Sequence, residues 1–106
     1  MPTVREVAEI MSARNAVVPG KRVRLDFGDK GTILLDGVSN IVSMGDVDAY
    51  ASGDADTIIR VSFANFLAMA AGSLGGTMAL ITGKLKIEGD MSVAMQLQSV
   101  TSQINV

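Results

Sequence analysis

The sequence predicts an α/β (α+β) fold in which helices pack on a mostly antiparallel sheet. Several short segments alternate apolar and polar residues, turn residues separate the first of them, and helix signals occur at both ends of the chain and in its uncharged centre. Successive strands joined by tight turns are typical of an antiparallel meander. At 106 residues the chain is long enough for one core, so a single domain spanning residues 1–106 is predicted.

The chain begins with a predicted amphipathic helix. Thr3 and Glu6 have the spacing of a capping box, and apolar residues recur on one face as far as residue 13. This face is expected to pack on the sheet. Residues 15–20, which end in Pro-Gly, are predicted to form a turn.

Five segments are predicted as strands: 22–27, 32–36, 40–44, 57–61 and 84–88. In the first, Val23, Leu25 and Phe27 share one face and three charged residues share the other, which predicts one face in water. Residues 28–31 read as a hairpin turn between the first two strands.

Residues 46–56 carry four aspartates, so a calcium site is one interpretation. The EF-hand spacing fails, since Tyr50 stands where a third ligand is required and no Glu closes the loop. The prediction is a solvated acidic loop without a metal.

The stretch from residue 61 to 83 contains no charged residue, which raises the alternative of a membrane span. A glycine-rich cluster at 72–76 interrupts the stretch and favours two short helices, 63–71 and 77–82, each ended by a glycine. Ser62 is the expected N-cap of the first. That helix has almost no polar face, so it is either a central core helix or the wall of a site for an apolar ligand.

The last predicted helix covers residues 91–103 and has Asp90 as its N-cap. Gln98 projects from its apolar stripe, close to Met91 and Met95. A buried amide requires hydrogen bonds. Either the protein supplies them, or Gln98 contacts the polar end of an otherwise apolar ligand.

The composition disfavours several classes of function. The chain has no His and no Cys, a net charge of −2 and no basic run, which argues against the commonest catalytic bases, disulfides and nucleic-acid binding. No cofactor is expected. The first residues lack the pattern of a secretory signal and the last ones are not Ser-Lys-Leu, so a cytoplasmic location is expected.

One segment resembles a known family. Gly-Lys-Leu-Lys-Ile-Glu-Gly-Asp-Met at 83–91, followed by Ala-Met-Gln-Leu-Gln at 94–98, resembles the signature of the sterol carrier protein 2 family of lipid-transfer domains. Ala-Asp-Thr at 55–57 and Phe-Leu at 66–67 are similar to the central block of that family. The resemblance implies a five-stranded, mostly antiparallel sheet with helices on one face, enclosing an apolar tunnel for a fatty acid, fatty acyl-CoA, sterol or similar lipid.

The resemblance also implies which residues line the tunnel: Phe66, Leu67, Ala70, Met78, Met91, Met95 and Gln98. The expected function is non-enzymatic lipid binding or transfer. The alternative is an accessory protein whose apolar helices bury against a second copy or a partner enzyme of lipid metabolism. An enzyme is the weakest of the three hypotheses, because no pair of residues has the spacing of a nucleophile and its base.

Overall fold

The computed structural model describes residues 3–45 and 55–101, with side chains described as far as residue 97. The elements in chain order are α1 (Val4–Ala13), β1 (Arg22–Asp26), β2 (Thr32–Asp36), β3 (Ile41–Gly45), β4 (Thr57–Val61), α2 (Phe63–Ala70), α3 (Gly76–Ile81), β5 (Leu85–Gly89) and α4 (Met91–Thr101). Most of the predicted acidic loop lies outside the described residues. The α+β fold class is confirmed.

The five strands form one mixed sheet in the order β3-β2-β1-β4-β5. The pairs β1–β2, β2–β3 and β4–β5 are antiparallel, as expected for a mostly antiparallel sheet. The pair β1–β4 is parallel. The chain therefore leaves the edge strand β3 and returns to the middle of the sheet, so that β1 becomes the central strand.

One face of the sheet carries the hydrophobic core. Val23 and Leu25 of β1 lie opposite Leu35 and Ile33 of β2, and all four are at most 1% exposed. The same face continues through Ile59, Val61 and Leu85 on β4 and β5. Buried residues of α1, α2 and α4 belong to the same core cluster, which places these helices on this one face.

The first helix forms as its cap predicts. The Thr3 hydroxyl accepts a hydrogen bond from the Glu6 N–H, and the Glu6 carboxylate accepts one from the Thr3 N–H. Val7, Ala8 and Met11 are buried, and α1 packs near the edge strand β3. The predicted hairpin turn contains a short 3₁₀ turn at Gly28–Lys30.

The uncharged stretch folds as two helices. The Ser62 hydroxyl accepts a hydrogen bond from the Asn65 N–H and caps α2, as predicted. Gly72 and Gly83 follow α2 and α3 with positive φ angles, and α3 begins and ends one residue earlier than predicted. No helix within residues 3–45 and 55–101 is long and apolar enough to cross a membrane.

The opposite face of the sheet is less exposed than the alternation predicts. Ion pairs Arg22–Asp36, Arg60–Asp26 and Arg60–Glu88 lie on it. Arg24, at the centre of the same face, is only 5% exposed, and its register neighbour Ile58 is 6% exposed. The prediction of a fully wet face is therefore wrong at its middle. Alternation identifies the two faces of a strand but not whether the second face of a central strand is covered.

Candidate functional site

An apolar cavity of about 330 Å³ lies between the sheet and the helices α2, α3 and α4. Strand residues form one side of it, and helix residues form the other. The described residues that line it are Leu25, Ile59, Val61, Phe66, Met69, Gly76, Thr77, Leu80, Leu85, Ile87, Met91, Ala94, Met95 and Leu97. Its volume is at the lower end of the range of about 300–1,000 Å³ for small-molecule sites.

The lining is almost entirely hydrocarbon and thioether. Thr77 is the single polar side chain among the described lining residues, and none of those residues can ionise at physiological pH. Met69, Met91 and Met95 are flexible and polarisable, so they can adapt to apolar ligands of different shape. The cavity is therefore suited to hold an alkyl chain or a comparable apolar group.

An aromatic cluster adjoins the cavity and fixes α2 on the sheet. The ring of Phe27, just after β1, lies 5.2 Å from the rings of both Phe63 and Phe66, in edge-on and tilted arrangements. All three rings are buried. Such aromatic pairs contribute roughly 0.5–1.5 kcal/mol each beyond their buried area. Phe66 belongs to this cluster and also lines the cavity, so the cluster positions one residue of the cavity wall.

The mouth of the cavity is formed by α3 and α4. Leu80, Met91 and Met95 line the cavity and are nevertheless 40%, 46% and 66% exposed. Large apolar side chains with both properties mark the place where the cavity opens to the surroundings. This opening lies between α3 and the first turns of α4.

Backbone and side-chain hydrogen bonds fix the start of α4. The Asp56 carbonyl accepts a hydrogen bond from the Asp90 N–H at 3.2 Å, and the Thr57 hydroxyl donates to the Asp90 carbonyl at 2.8 Å. Asp56 is itself tied to β1, since the Arg22 N–H donates to its carboxylate at 2.8 Å. The segments 55–57 and 83–91, which carry the family resemblance, thus meet in space and hold α4 over the sheet.

Asp90 also caps α4 through its side chain. Its carboxylate accepts hydrogen bonds from the Ser92 hydroxyl at 2.7 Å and from the Ser92 N–H at 3.0 Å. These bonds, the hydroxyl first, hold the pKa of Asp90 below its usual value. The charged carboxylate also interacts favourably with the helix dipole.

The structure brings three of the seven expected lining residues together at the cavity: Phe66, Met91 and Met95. Leu67 belongs to the buried core cluster and Ala70 is also buried, and neither of them lines the cavity. Met78 is 57% exposed and points away, because α3 turns Thr77 and Leu80 towards the cavity instead. The side chain of Gln98 lies outside the described residues. As ligand contacts, all seven remain predictions.

The sheet side of the cavity was not predicted as lining. Leu25, Ile59, Val61, Leu85 and Ile87 are the inward residues of three predicted strands. Their alternation marks them as facing the core, but only the strand order shows that they lie under α2, α3 and α4. In the part of the chain that the structure describes, no group of three carboxylates could hold a metal ion.

Comparisons with known proteins agree with this fold. Residues 6–102 match the SCP-2 sterol transfer family. A hydroxysteroid dehydrogenase-like protein 2 from Bos taurus is 35% identical over 99 residues, which are 92% of this chain and 22% of that protein. The homologous protein from Xenopus laevis is 41% identical over 54 residues. This chain spans between 13% and 22% of the length of the curated relatives it matches.

Solved structures show the same fold. Sterol carrier protein 2 from Aedes aegypti in complex with palmitate has a TM-score of 0.72 at 13% identity, covering 93% of this chain and 94% of that one. Palmitated sterol carrier protein 2-like 2 from the same species has a TM-score of 0.67 at 23% identity, covering 99% of each chain. Since the family match extends over most of its length, the chain belongs to the SCP-2 sterol transfer family.

Proposed function

We propose that this chain binds one lipid molecule without covalent chemistry and that the alkyl chain of a fatty acid or fatty acyl group occupies the cavity. The observation that carries the proposal is the lining itself, which offers apolar contacts almost throughout and an open mouth at Leu80, Met91 and Met95. The two Aedes aegypti proteins described with palmitate support the choice of ligand.

The orientation of the ligand follows from the distribution of polarity. The floor of the cavity is apolar, so a carboxylate or thioester placed there would lose its hydration without gaining partners. We propose that the methyl end enters first and that the polar end stays near the mouth. Thr77 provides a hydroxyl within the lining to contact that end.

We propose that the chain carries its ligand and does not catalyse a reaction on it. General acid–base catalysis is most efficient with a group whose pKa lies near neutral pH, and the described lining residues offer hydrocarbon, thioether and one hydroxyl. The dehydrogenase-like relatives are much longer than this chain, and their names refer to whole proteins. The dehydrogenase activity that those names suggest is therefore not proposed here.

A series of saturated fatty acids of increasing length tests the proposal. Each methylene that enters the cavity contributes about 0.8 kcal/mol, so the affinity should rise about fourfold per carbon and level off once the cavity is filled. Isothermal titration calorimetry, with each acid kept below its micellar concentration, measures this dependence. An affinity independent of chain length, or no binding at any length, would overturn the proposal.

Two substitutions on α3 locate the site. Leu80→Gln places an amide in the lining and should weaken fatty-acid binding about tenfold. Met78→Gln makes a matched change two residues away, on a side chain that does not line the cavity, and should leave the affinity unchanged. Both side chains are substantially exposed, so the fold should tolerate both changes. Equal loss in the two variants would contradict the placement of the site.

A further inference from the structure

Two methionines of α4 line the cavity and are also exposed to water. Met91 is 46% exposed and Met95 is 66% exposed, and both belong to the cavity lining. They are four residues apart, so their side chains lie next to each other on one face of the helix. They form the α4 side of the cavity mouth, and we call Met91 and Met95 the mouth pair.

The other methionines among the described residues have at most one of these two properties. Met44 and Met78 are 39% and 57% exposed, and neither lines the cavity. Met69 lines the cavity but is partly buried against the core, and Met11 is fully buried. An oxidant dissolved in water therefore has access to the mouth pair, and a chemical change in these side chains alters the cavity itself.

The thioethers are the groups of the cavity that dilute hydrogen peroxide oxidises. The chain has no Cys, so no thiol competes for the oxidant. The remaining described lining residues offer hydrocarbon and the Thr77 hydroxyl. Peroxide transfers one oxygen atom to the thioether sulfur, which loses two electrons, and the peroxide is reduced to water. The reaction converts a flexible apolar side chain into a polar sulfoxide.

We propose that the mouth pair is a reversible oxidation site, at which hydrogen peroxide lowers the affinity of the cavity for lipid. The effect on lipid rests on the proposed function. A sulfoxide oxygen accepts hydrogen bonds from water, so covering it with an alkyl chain costs free energy. It has no proton to donate to a carboxylate held at the mouth, which is itself only an acceptor. Methionine sulfoxide reductases reverse the modification.

Peroxide treatment followed by peptide mass spectrometry tests the site. Without lipid, the mouth pair should be oxidised faster than Met11 and Met69, because its side chains are more exposed. Palmitate is saturated and is not itself oxidised, and at a saturating concentration it should slow oxidation of the mouth pair roughly fivefold. Oxidation of Met78 should be unaffected by palmitate. Equal protection of Met78, or oxidation of the mouth pair no faster than that of Met11, would overturn the proposal.

Calorimetric titration with palmitate, after the peroxide has been removed, measures the consequence for binding. The oxidised chain should bind palmitate about tenfold more weakly than the untreated chain. Treatment with methionine sulfoxide reductases should restore the original affinity. The far-ultraviolet circular dichroism should not change on oxidation. A loss of helix signal would assign the lower affinity to unfolding and would overturn the proposal.

Two variants assign the effect to the mouth pair. The double variant Met91→Leu, Met95→Leu keeps apolar side chains of similar volume that peroxide does not oxidise, so peroxide should change its affinity less than about twofold. Met78→Leu retains the mouth pair, so peroxide should lower its affinity about tenfold, as in the unchanged chain. Each variant is compared with itself before and after treatment. Equal loss in the two variants would overturn the proposal.

The untreated chain separates this proposal from the proposed function. Failure of the untreated chain to bind palmitate would overturn the proposed function and, with it, the effect of oxidation on lipid. The oxidation rates without lipid would then decide the oxidation site by themselves. Normal binding by the untreated chain, together with the same affinity after oxidation of the mouth pair, would overturn only the proposal of an oxidation-sensitive mouth.

Discussion

Gly89 lies where the edge strand β5 ends and Asp90 begins the cap of α4. Its φ angle is +97°, and a Cβ atom at this position would lie 2.3 Å from the Asp56 carbonyl oxygen. Both facts require glycine, because any side chain would be strained and would also collide with backbone. The glycine in the recognisable Gly-Asp-Met sequence therefore has a structural reason that is independent of any ligand.

Gly89→Ala should destabilise the fold by roughly 3 kcal/mol, since backbone strain and steric overlap add. Gly72→Ala is the matched control, because Gly72 also has a positive φ of +83° but has open space where the Cβ would lie. That variant should lose only about 1–2 kcal/mol. Urea unfolding measures both. Equal losses would show that contact with Asp56 does not matter.

Asp90 makes stability depend on pH. Its pKa is lowered in the folded state by hydrogen bonds from the Ser92 hydroxyl and N–H. The resulting stabilisation is complete above the ordinary pKa of about 3.9 and is lost as the pH falls through the lower folded value. Asp90→Asn keeps an oxygen that can cap the helix but does not titrate.

Urea unfolding between about pH 5 and pH 2 should therefore show a steeper loss of stability for the unchanged chain than for Asp90→Asn. The pKa values of Glu6 and Asp36 are also lowered, by hydrogen bonds with Thr3 and with Ser39 respectively. These two groups titrate in both proteins, so the difference between the two curves reports Asp90. Parallel curves would contradict the expected contribution.

At the scale of elements, the stability of α2 depends on its N-cap. The helix has eight residues, which is too short to be stable by itself, and the Ser62 hydroxyl satisfies the Asn65 N–H at 3.1 Å. Ser62→Ala should lower the free energy of unfolding by about 1 kcal/mol, measured by urea denaturation. Ser62→Asp, which restores an oxygen, should recover most of that loss. If Ser62→Asp recovers none of the lost stability, Ser62 does not act through its capping oxygen.

The sequence predicts the elements well because their signals are local. Thr3, Ser62 and Asp90 cap the helices as expected, and glycines end α2 and α3. The third strand begins at Ile41 and not at residue 40, because Asn40 has a φ of +60° and belongs to the preceding turn. Asparagine tolerates that conformation, so this boundary could have been read as a turn.

Individual site residues are harder to predict than elements, and Met78 shows why, because α3 has only six residues. A small rotation of so short a helix decides whether Met78 or Leu80 lines the cavity. The resemblance selects Met78, whereas the structure places Leu80 at the cavity. Phe66, Met91 and Met95 belong to the longer helices α2 and α4. All three lie at the cavity.

At the scale of the whole molecule, strand order is the feature that local patterns do not contain. The alternation in β1 and β4 is the same whether these strands are neighbours or far apart. Their parallel pairing depends on the path of the chain between β3 and β4. That pairing puts Ile59 beside Leu25 and so creates one side of the cavity. The resemblance supplied the five-stranded sheet and its helix-covered face, and the structure confirms both.

The described lining residues have one further property in common. All of them except Leu25 come from residues 59–97, a single continuous stretch of chain. We expect the helices of this stretch to open locally more often than the paired strands β1, β2 and β3. In hydrogen–deuterium exchange, amides of α2, α3 and α4 should exchange faster than those of β1 and β2. A long-chain fatty acid should slow amide exchange in the helices more than in the strands, whereas a short acid should have no such effect.

Uniform exchange across the chain, or equal protection of helices and strands by ligand, would contradict local opening. If exchange is selective, lipid release becomes coupled to a partial unfolding event. The lifetime of the bound lipid should then shorten steeply on warming, because unfolding steps have large activation enthalpies. The continuity of one chain segment would thus determine how long a bound lipid stays in the cavity.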